Sequence, residues 1–343
     1  MKDQSRTMGA WWGAWIGDAL AMPAHWYYHS EWIGRDYGTF DHYKAPLAEH
    51  PDSIFWRSNY QATGPKDDIL HEQAQYWGLR GVHYHQFLKA GENTLNLKLA
   101  MQLAESLRER GGYDREDYSA RYRDFLLTPG SHRDTYVEEC HRGFFKNYAA
   151  GKPPAKCGIN DQHIGGLATL VPLILFYHDD PEQLAGVVRE HVSLTHKNED
   201  VQAASQAFAC LLSRILAGAS IPQALKQCGP AVHPCFSLPF ERWAHSESDE
   251  RVVGRRFSTA CYIKEAFPAS IYLALKYGGR FREGLQANTL LGGDNCHRGV
   301  VIGALLGAAG GVESIPERWI ADLHEHTRLA DLAAGFSVKL SLA

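Results

Sequence analysis

The chain has 343 residues, 45% of them hydrophobic and 22% charged, enough to bury a large core. Its net charge of −4 and the lack of any Lys/Arg-rich run exclude a general nucleic-acid binder, which needs a basic field to displace counterions. Seven scattered cysteines without CxxC spacing read as reduced thiols of a cytoplasmic protein. Residues 1–7 are polar and carry no signal-peptide pattern. The longest apolar run, residues 167–177, is shorter than the roughly 20 residues of a membrane helix and contains Pro172. A cytoplasmic, membrane-free protein is therefore expected.

Helical periodicity dominates, and alternating strand patterns between Asn-Gly or Asp-Gly turns are not evident, so the fold is read as all-α. Near the start, Gly9, Gly13 and Gly17 recur at every fourth position. Three glycines on one helical face cost roughly 0.8–1 kcal/mol each relative to alanine, which implies a compensating close approach of backbone. The aromatic run Trp26-Tyr27-Tyr28 follows, suited first to a core and second to stacking on a flat ring. Residues 38–64 read as loop. Lys66-Asp67-Asp68 then precedes a helical run over residues 69–79. Leu95, Leu99, Leu103 and Leu107 form a stripe behind a cap at Asn93 or Thr94. Residues 135–148 and 201–216 read as core-facing helices. Residues 259–277 read likewise, with a kink or break at Pro268. Residues 111–115, 128–133 and 149–163 read as loops, and 227–250 as an insertion or lid. The chain closes with a second glycine stripe, Gly299, Gly303 and Gly307. If the two stripes touch, residues 1–343 form a single domain joined at its ends.

Four places carry residues suited to chemistry. Asp67 and Asp68 are explained by capping of a helix start, or by binding a hard cation and polarising water. Residues 291–299 set Gly292 and Gly293 before Asp294, Asn295, Cys296, His297 and Arg298. A polar cap explains one or two of these, but not an acid, a thiol, an imidazole and a guanidinium within five positions. Asp18 ends an apolar helix and suits a structural bond to neighbouring backbone. Residues 193–200 resemble a capping box, with His196 free to bind a substrate or a neighbour.

In this order, these elements resemble the ADP-ribosylglycohydrolase family from about Gly9 to Gly311. Gly17-Asp18-Ala19-Leu20 resembles the family's GDALG element, and Lys66-Asp67-Asp68 stands at its Thr-Asp-Asp. Leu194-Thr195-His196 resembles its L-T-H segment. Gly292-Gly293-Asp294, followed by Gly303-Ala304 through Gly307-Ala308, resembles its GGDTDT element and helix. The resemblance implies an orthogonal helical bundle with a central acidic cleft. It implies hydrolysis of the C1″ glycosidic bond of ADP-ribose or a related ribosyl conjugate, with an ADP-ribosylated protein or small molecule as partner. It implies two Mg²⁺ ions held by Asp67, Asp68 and Asp294, which are also the expected catalytic residues. Lys66, Gly165, His196, Asn295, His297 and Arg298 are the expected substrate-binding residues. The family's Gly-Asn-Gly loop is only loosely matched around His163-Ile164-Gly165-Gly166, and its glutamate after GDALG falls on His25.

Three ligand positions depart from the family: Lys66, Cys296 and His297 replace oxygen donors. Lys66 is expected to put its ammonium where a metal would sit, leaving one ion or none. Cys296 and His297 could alternatively recruit a softer ion such as Zn²⁺. Two rival functions stand beside hydrolysis of ADP-ribose conjugates. One is hydrolysis of another ribosyl N-glycoside; the other is a non-catalytic ADP-ribose binder or crystallin-like protein that has lost its metals.

Overall fold

A computed structural model describes the backbone of residues 2–342 and the side chains of residues 4–335. Among these the chain is helical, with isolated β-bridges and no sheet. The helices that build the site are α1 (Lys2–Ala21), α2 (Leu95–Arg110), α3 (Glu139–Ala149), α4 (Glu199–Leu216), α5 (Ile263–Lys276), α6 (Phe281–Leu291) and α7 (Asn295–Gly310).

The two glycine stripes meet. A Cβ built on Gly9 would lie 2.0 Å from the Gly307 carbonyl oxygen, on Gly13 2.0 Å from that of Gly303, and on Gly17 2.0 Å from that of Gly299. Helices α1 and α7 thus pack backbone against backbone through the centre of the molecule. The side chains flanking the stripes, Trp11, Trp15, Ile16, Val300, Val301 and Leu305, are fully buried around that contact. Position 18 of α1 and the start of α7 are thereby fixed relative to each other, and the site grows from that corner.

Asp18 has the structural role read from the sequence. Its carboxylate accepts from Thr94 N (2.8 Å), Thr94 Oγ1 (2.7 Å) and Asn93 Nδ2 (2.9 Å), which clamps the start of α2 onto α1. The leucine stripe of α2 is buried as expected. Helix α5 runs through Pro268 without a break, so the expected interruption there is corrected: the proline is buried inside a continuous helix. Residues 227–250 are not the plain loop expected. They hold a helix end that kinks at Gly229, a 3-10 turn and the helix Phe240–Ser246, anchored by buried Phe240 and Trp243. The run after Asp68 is shorter than expected, a 3-10 turn over His71–Tyr76.

Candidate active site

The loop between α6 and α7 sets Asp294 in place. Gly292 and Gly293 have φ of 64° and 62°. A Cβ on Gly292 would fall 2.1 Å from Tyr27 O, and one on Gly293 2.0 Å from Thr259 O. Only glycine therefore permits three segments to converge here. Trp26 N donates to Gly293 O (2.7 Å), Gly293 N to Tyr27 O (2.6 Å) and Asp294 N to Thr259 O (2.8 Å). Asp294 caps α7 by accepting from His297 N.

Fully buried Asp294 sits between two imidazoles. His25 Nε2 lies 3.2 Å from Oδ1, and His297 Nδ1 lies 3.0 Å from Oδ2. A relay runs outward from His25. Its Nδ1 is 2.8 Å from His85 Nε2, and His85 Nδ1 is 2.9 Å from Asp134 Oδ1. Asp134 in turn meets Lys98 Nζ (3.2 Å), which also reaches Glu92 (3.0 Å). Neutral His25 donates from Nε2 to Asp294 and so accepts at Nδ1.

From His297 a second branch runs through Asn96, whose amide lies 2.9 Å from His297 Nε2, 2.8 Å from Glu138 Oε2 and 2.8 Å from His141 Nε2. Glu138 Oε1 also approaches His297 Nδ1 at 3.5 Å. Gly165 leaves the space for this carboxylate: a Cβ there would be 2.5 Å from Glu138 Oε2. Helix α3 begins directly after Glu138, so its first turn aims Glu138 inward. Trp26, Tyr136 and Leu95 complete the wall of a small void enclosed by His25, His85, Asn96, Asp134, Glu138 and His297.

The environments push the two acids apart. Burial alone would raise Asp294, but the neighbouring His297 charge and the bonds from both imidazoles hold it well below the usual carboxylate range. Burial raises Glu138 above its usual range, against the pull of His297. Burial also opposes charge on His297, yet Asp294 and Glu138 lift it to about 10. Two proton arrangements satisfy this network. With Asn96 Nδ2 donating to His297 Nε2, the imidazole is neutral and Glu138 is ionised. Turning the amide over lets Oδ1 accept from an imidazolium, and Glu138 must then carry a proton to donate to the same oxygen. The second arrangement matches the direction of both shifts.

Burial keeps other imidazoles neutral, lowering His25, His141 and His191 to about 3 and His50, His132 and His196 to about 4. Unfolded, each titrates near 6.5, so below that pH the unfolded chain binds protons the folded one refuses. Each then removes up to about 1.4 kcal/mol of stability per pH unit. His297, raised to about 10, works in the opposite sense: its stabilisation is complete below about 6.5 and fades as pH rises toward 10. The melting temperature should peak near neutrality, fall steeply toward pH 4.5 and decline more gently on the alkaline side. A thermal-shift series across pH checks this; a flat profile from pH 7 to 5 contradicts it.

The structure redistributes the residues expected from the sequence. Asp294, His297 and Gly165 come together. Asp67 and Asp68 do not line the void beside Asp294. Asp67 is buried and accepts from the amides of Thr63 (3.0 Å) and Gly64 (2.9 Å), closing a local turn. Asp68 accepts from His71 N (3.1 Å) and borders an outer hollow with Trp56, Tyr60 and Trp77. Lys66 is exposed, so the cationic duty foreseen for it at the buried acid falls to His297. Cys296 is buried with its thiol toward Asp18 O (3.7 Å), packed on Ala21, Met22 and Leu88, and is no partner of His297. Arg298 is fully buried and spends its guanidinium on Asn288 Oδ1, Thr259 O and Gly292 O, which makes it a brace of the Asp294 loop. Asn295 likewise ties to Ala24 O and Thr289 O (both 3.1 Å). His196 is buried and lies toward Asp161.

The acids that do meet Asp294, Glu138 and the relay residue Asp134, went unread in the sequence, as did His85 and Asn96. The alternation His83-Tyr84-His85 and the acidic run before α3 were the available signals.

The residues present do not fit a pair of Mg²⁺ ions. Hard cations need free carboxylate oxygens, whereas both oxygens of Asp294 are engaged by imidazoles and Asp67 is engaged by backbone amides.

Comparison with known proteins supplies the context. The ADP-ribosylglycohydrolase family model matches residues 1–341. A protein of unassigned function from Archaeoglobus fulgidus is 26% identical over 254 residues, covering 72% of this chain and 80% of its own. The ADP-ribosyl-[dinitrogen reductase] glycohydrolase of Rhodospirillum rubrum is 22% identical over 236 residues, covering 69% of this chain and 75% of its own. A solved structure described as an ADP-ribosylglycohydrolase-related protein complex superposes with a TM-score of 0.64 at 25% identity, covering 98% of both chains. No helix among the described residues is long and apolar enough to cross a membrane.

Proposed function

Because the chain belongs to the ADP-ribosylglycohydrolase family, we propose that it hydrolyses the C1″ glycosidic bond of an ADP-ribose conjugate at Glu138, His297 and Asp294. The carrying observation is the pair of carboxylates joined through His297, one held ionised and the other pushed toward its protonated form. Such divergence separates acid from base in glycoside hydrolysis. Glu138 is the less buried of the two, with 14% of its side chain exposed against none for Asp294, and serves as the acid that protonates the leaving group. The fixed negative charge of Asp294 stabilises the electron-poor oxocarbenium-like state. Once it has given its proton to the leaving group, Glu138 takes one from the water that adds to C1″, which restores the acid for the next turnover. The balancing charge comes from the His297 imidazolium, and no step runs through Mg²⁺.

The test is release of free ADP-ribose from ADP-ribosyl-arginine, ADP-ribosyl-serine, O-acetyl-ADP-ribose and NAD. Turnover of at least one, reduced about 10²–10⁴-fold in Glu138→Gln, supports the proposal. Tight ADP-ribose binding with turnover of none rejects it in favour of a non-catalytic binder.

A further inference from the structure

Beside the Glu138 carboxylate lies a second cluster that the hydrolysis does not use. Three segments meet there. Cys140 stands in the first turn of α3, Asp161 in the loop after α3, and His196 in the turn before α4. The loop and the turn are locked together: Ile159 N donates to Thr195 O (3.0 Å) and Lys197 N to Ile159 O (2.7 Å). Gly158 lies so close to this turn that a Cβ would be 2.6 Å from Leu194 O, and Gly166 sits under the His196 ring.

Each polar side chain is held by one atom and leaves another unused. Asp161 Oδ1 accepts from His163 N (2.8 Å) and contacts His163 Nδ1 (2.8 Å). Its Oδ2 is buried and has no hydrogen-bond partner. His196 Nδ1 is paired with Thr195 Oγ1 (2.9 Å), while its Nε2 is buried and equally unpartnered. Asp161 and His196 are 4% and 2% exposed, and Cys140 is 1% exposed. Two buried polar atoms without partners are costly to desolvate. They do not relieve one another, since His196 Nε2 stands 3.8 Å from the nearer Asp161 oxygen.

A metal ion would satisfy both. The donor atoms of Cys140, Asp161 and His196 all lie within 4.8 Å of one another. Ligands at about 2.0–2.3 Å around a tetrahedral centre stand roughly 3.3–3.8 Å apart, so the three side chains need only draw in on an ion. The partners on the far atoms, Thr195 on His196 and His163 on Asp161, fix ring and carboxylate in the way outer-shell bonds do at metal sites. A small void lined by Asn96, His141, Thr169 and Gly166 reaches His196.

We propose that Cys140 Sγ, Asp161 Oδ2 and His196 Nε2 form a site for a borderline-soft divalent cation of the zinc type. One thiolate, one imidazole and one carboxylate favour such an ion over Mg²⁺ or Ca²⁺.

The full-length protein, stripped with chelator, would be titrated with Co²⁺ as a spectroscopic probe and with Zn²⁺ in competition. Expected is one equivalent bound per chain with a thiolate-to-cobalt charge-transfer band that Zn²⁺ abolishes. The band should vanish in Cys140→Ser, persist in Cys261→Ser, and need at least about tenfold more Co²⁺ in Asp161→Asn with an unchanged helical circular-dichroism spectrum. Asp161→Asn retains the thiol and guards against a Cys140→Ser chain that fails to fold. The His25–Asp294–His297 group holds no sulfur and gives no such band, so the result is independent of the hydrolytic reading. Absence of the band, or its loss in Cys261→Ser instead of Cys140→Ser, overturns the proposal.

Discussion

Asp294→Asn is expected to lower kcat/KM for the ADP-ribose conjugate by at least about 10³-fold, equivalent to about 4 kcal/mol of transition-state stabilisation. The substitution keeps the size of the side chain but removes the charge that His25 and His297 were arranged around. Asparagine can accept at one atom only, so one of the two imidazoles loses its acceptor. His297 was lifted to about 10 chiefly by Asp294 and Glu138; without Asp294 it should fall toward neutrality, and the alkaline limb of the pH–rate profile should move to lower pH. Loss of folding would mimic loss of activity, because breaking a buried charge pair costs about 3–5 kcal/mol. The shift of the pH–rate profile is the readout that a purely structural role would not produce. Steady-state kinetics across pH, on protein shown to be folded, measures both.

Gly303→Ala is expected to destabilise the fold by at least about 3 kcal/mol, against the usual direction for a helix. Alanine in an unencumbered helical site gains up to about 1 kcal/mol over glycine. At Gly303 the added Cβ would lie 1.9 Å from the Gly13 carbonyl oxygen, so α1 and α7 must separate. Separation opens the contact around which the Trp11, Trp15 and Val300 side chains pack, and cores tolerate such gaps poorly. Gly186→Ala is the control. It lies in the helix Pro181–Ser193 with nothing within 4 Å of a built Cβ, and should stabilise slightly. Urea midpoints of the two variants, read against the parent, give the comparison. Equal and small effects would mean that the glycine faces are not under backbone contact.

The glycine stripes were readable because their cost in a helix has few explanations, and the one that brings backbones together is what α1 and α7 show. The Asp294–His297 pair was readable for a similar reason: glycines before an acid at a helix start restrict its surroundings strongly. Lys66-Asp67-Asp68 misled because a local turn explains two adjacent acids as well as a cation does. Thr63 and Gly64 amides supply that turn, and nothing in the spacing distinguishes it. Glu138, Asp134 and Asn96 were invisible for a different reason. Each stands in a helix flank or a loop where polar residues are ordinary, and only the closure of distant segments brings them to Asp294. Residues 227–250 read as loop because their Pro, His and acidic residues outweighed Phe240 and Trp243, whose buried rings anchor a helix there.

The account stands on the void at Glu138 and His297, with Asp294 behind it, being where the ribose is cut. A crystal structure of the Glu138→Gln protein soaked with ADP-ribose tests this most directly. The terminal ribose should lie with C1″ about 3.5 Å from the substituted carboxamide, and beside His297 and Asn96. A ribose seated in the outer hollow with Trp56, Tyr60 and Asp68, leaving His297 and Asn96 untouched, would contradict the account.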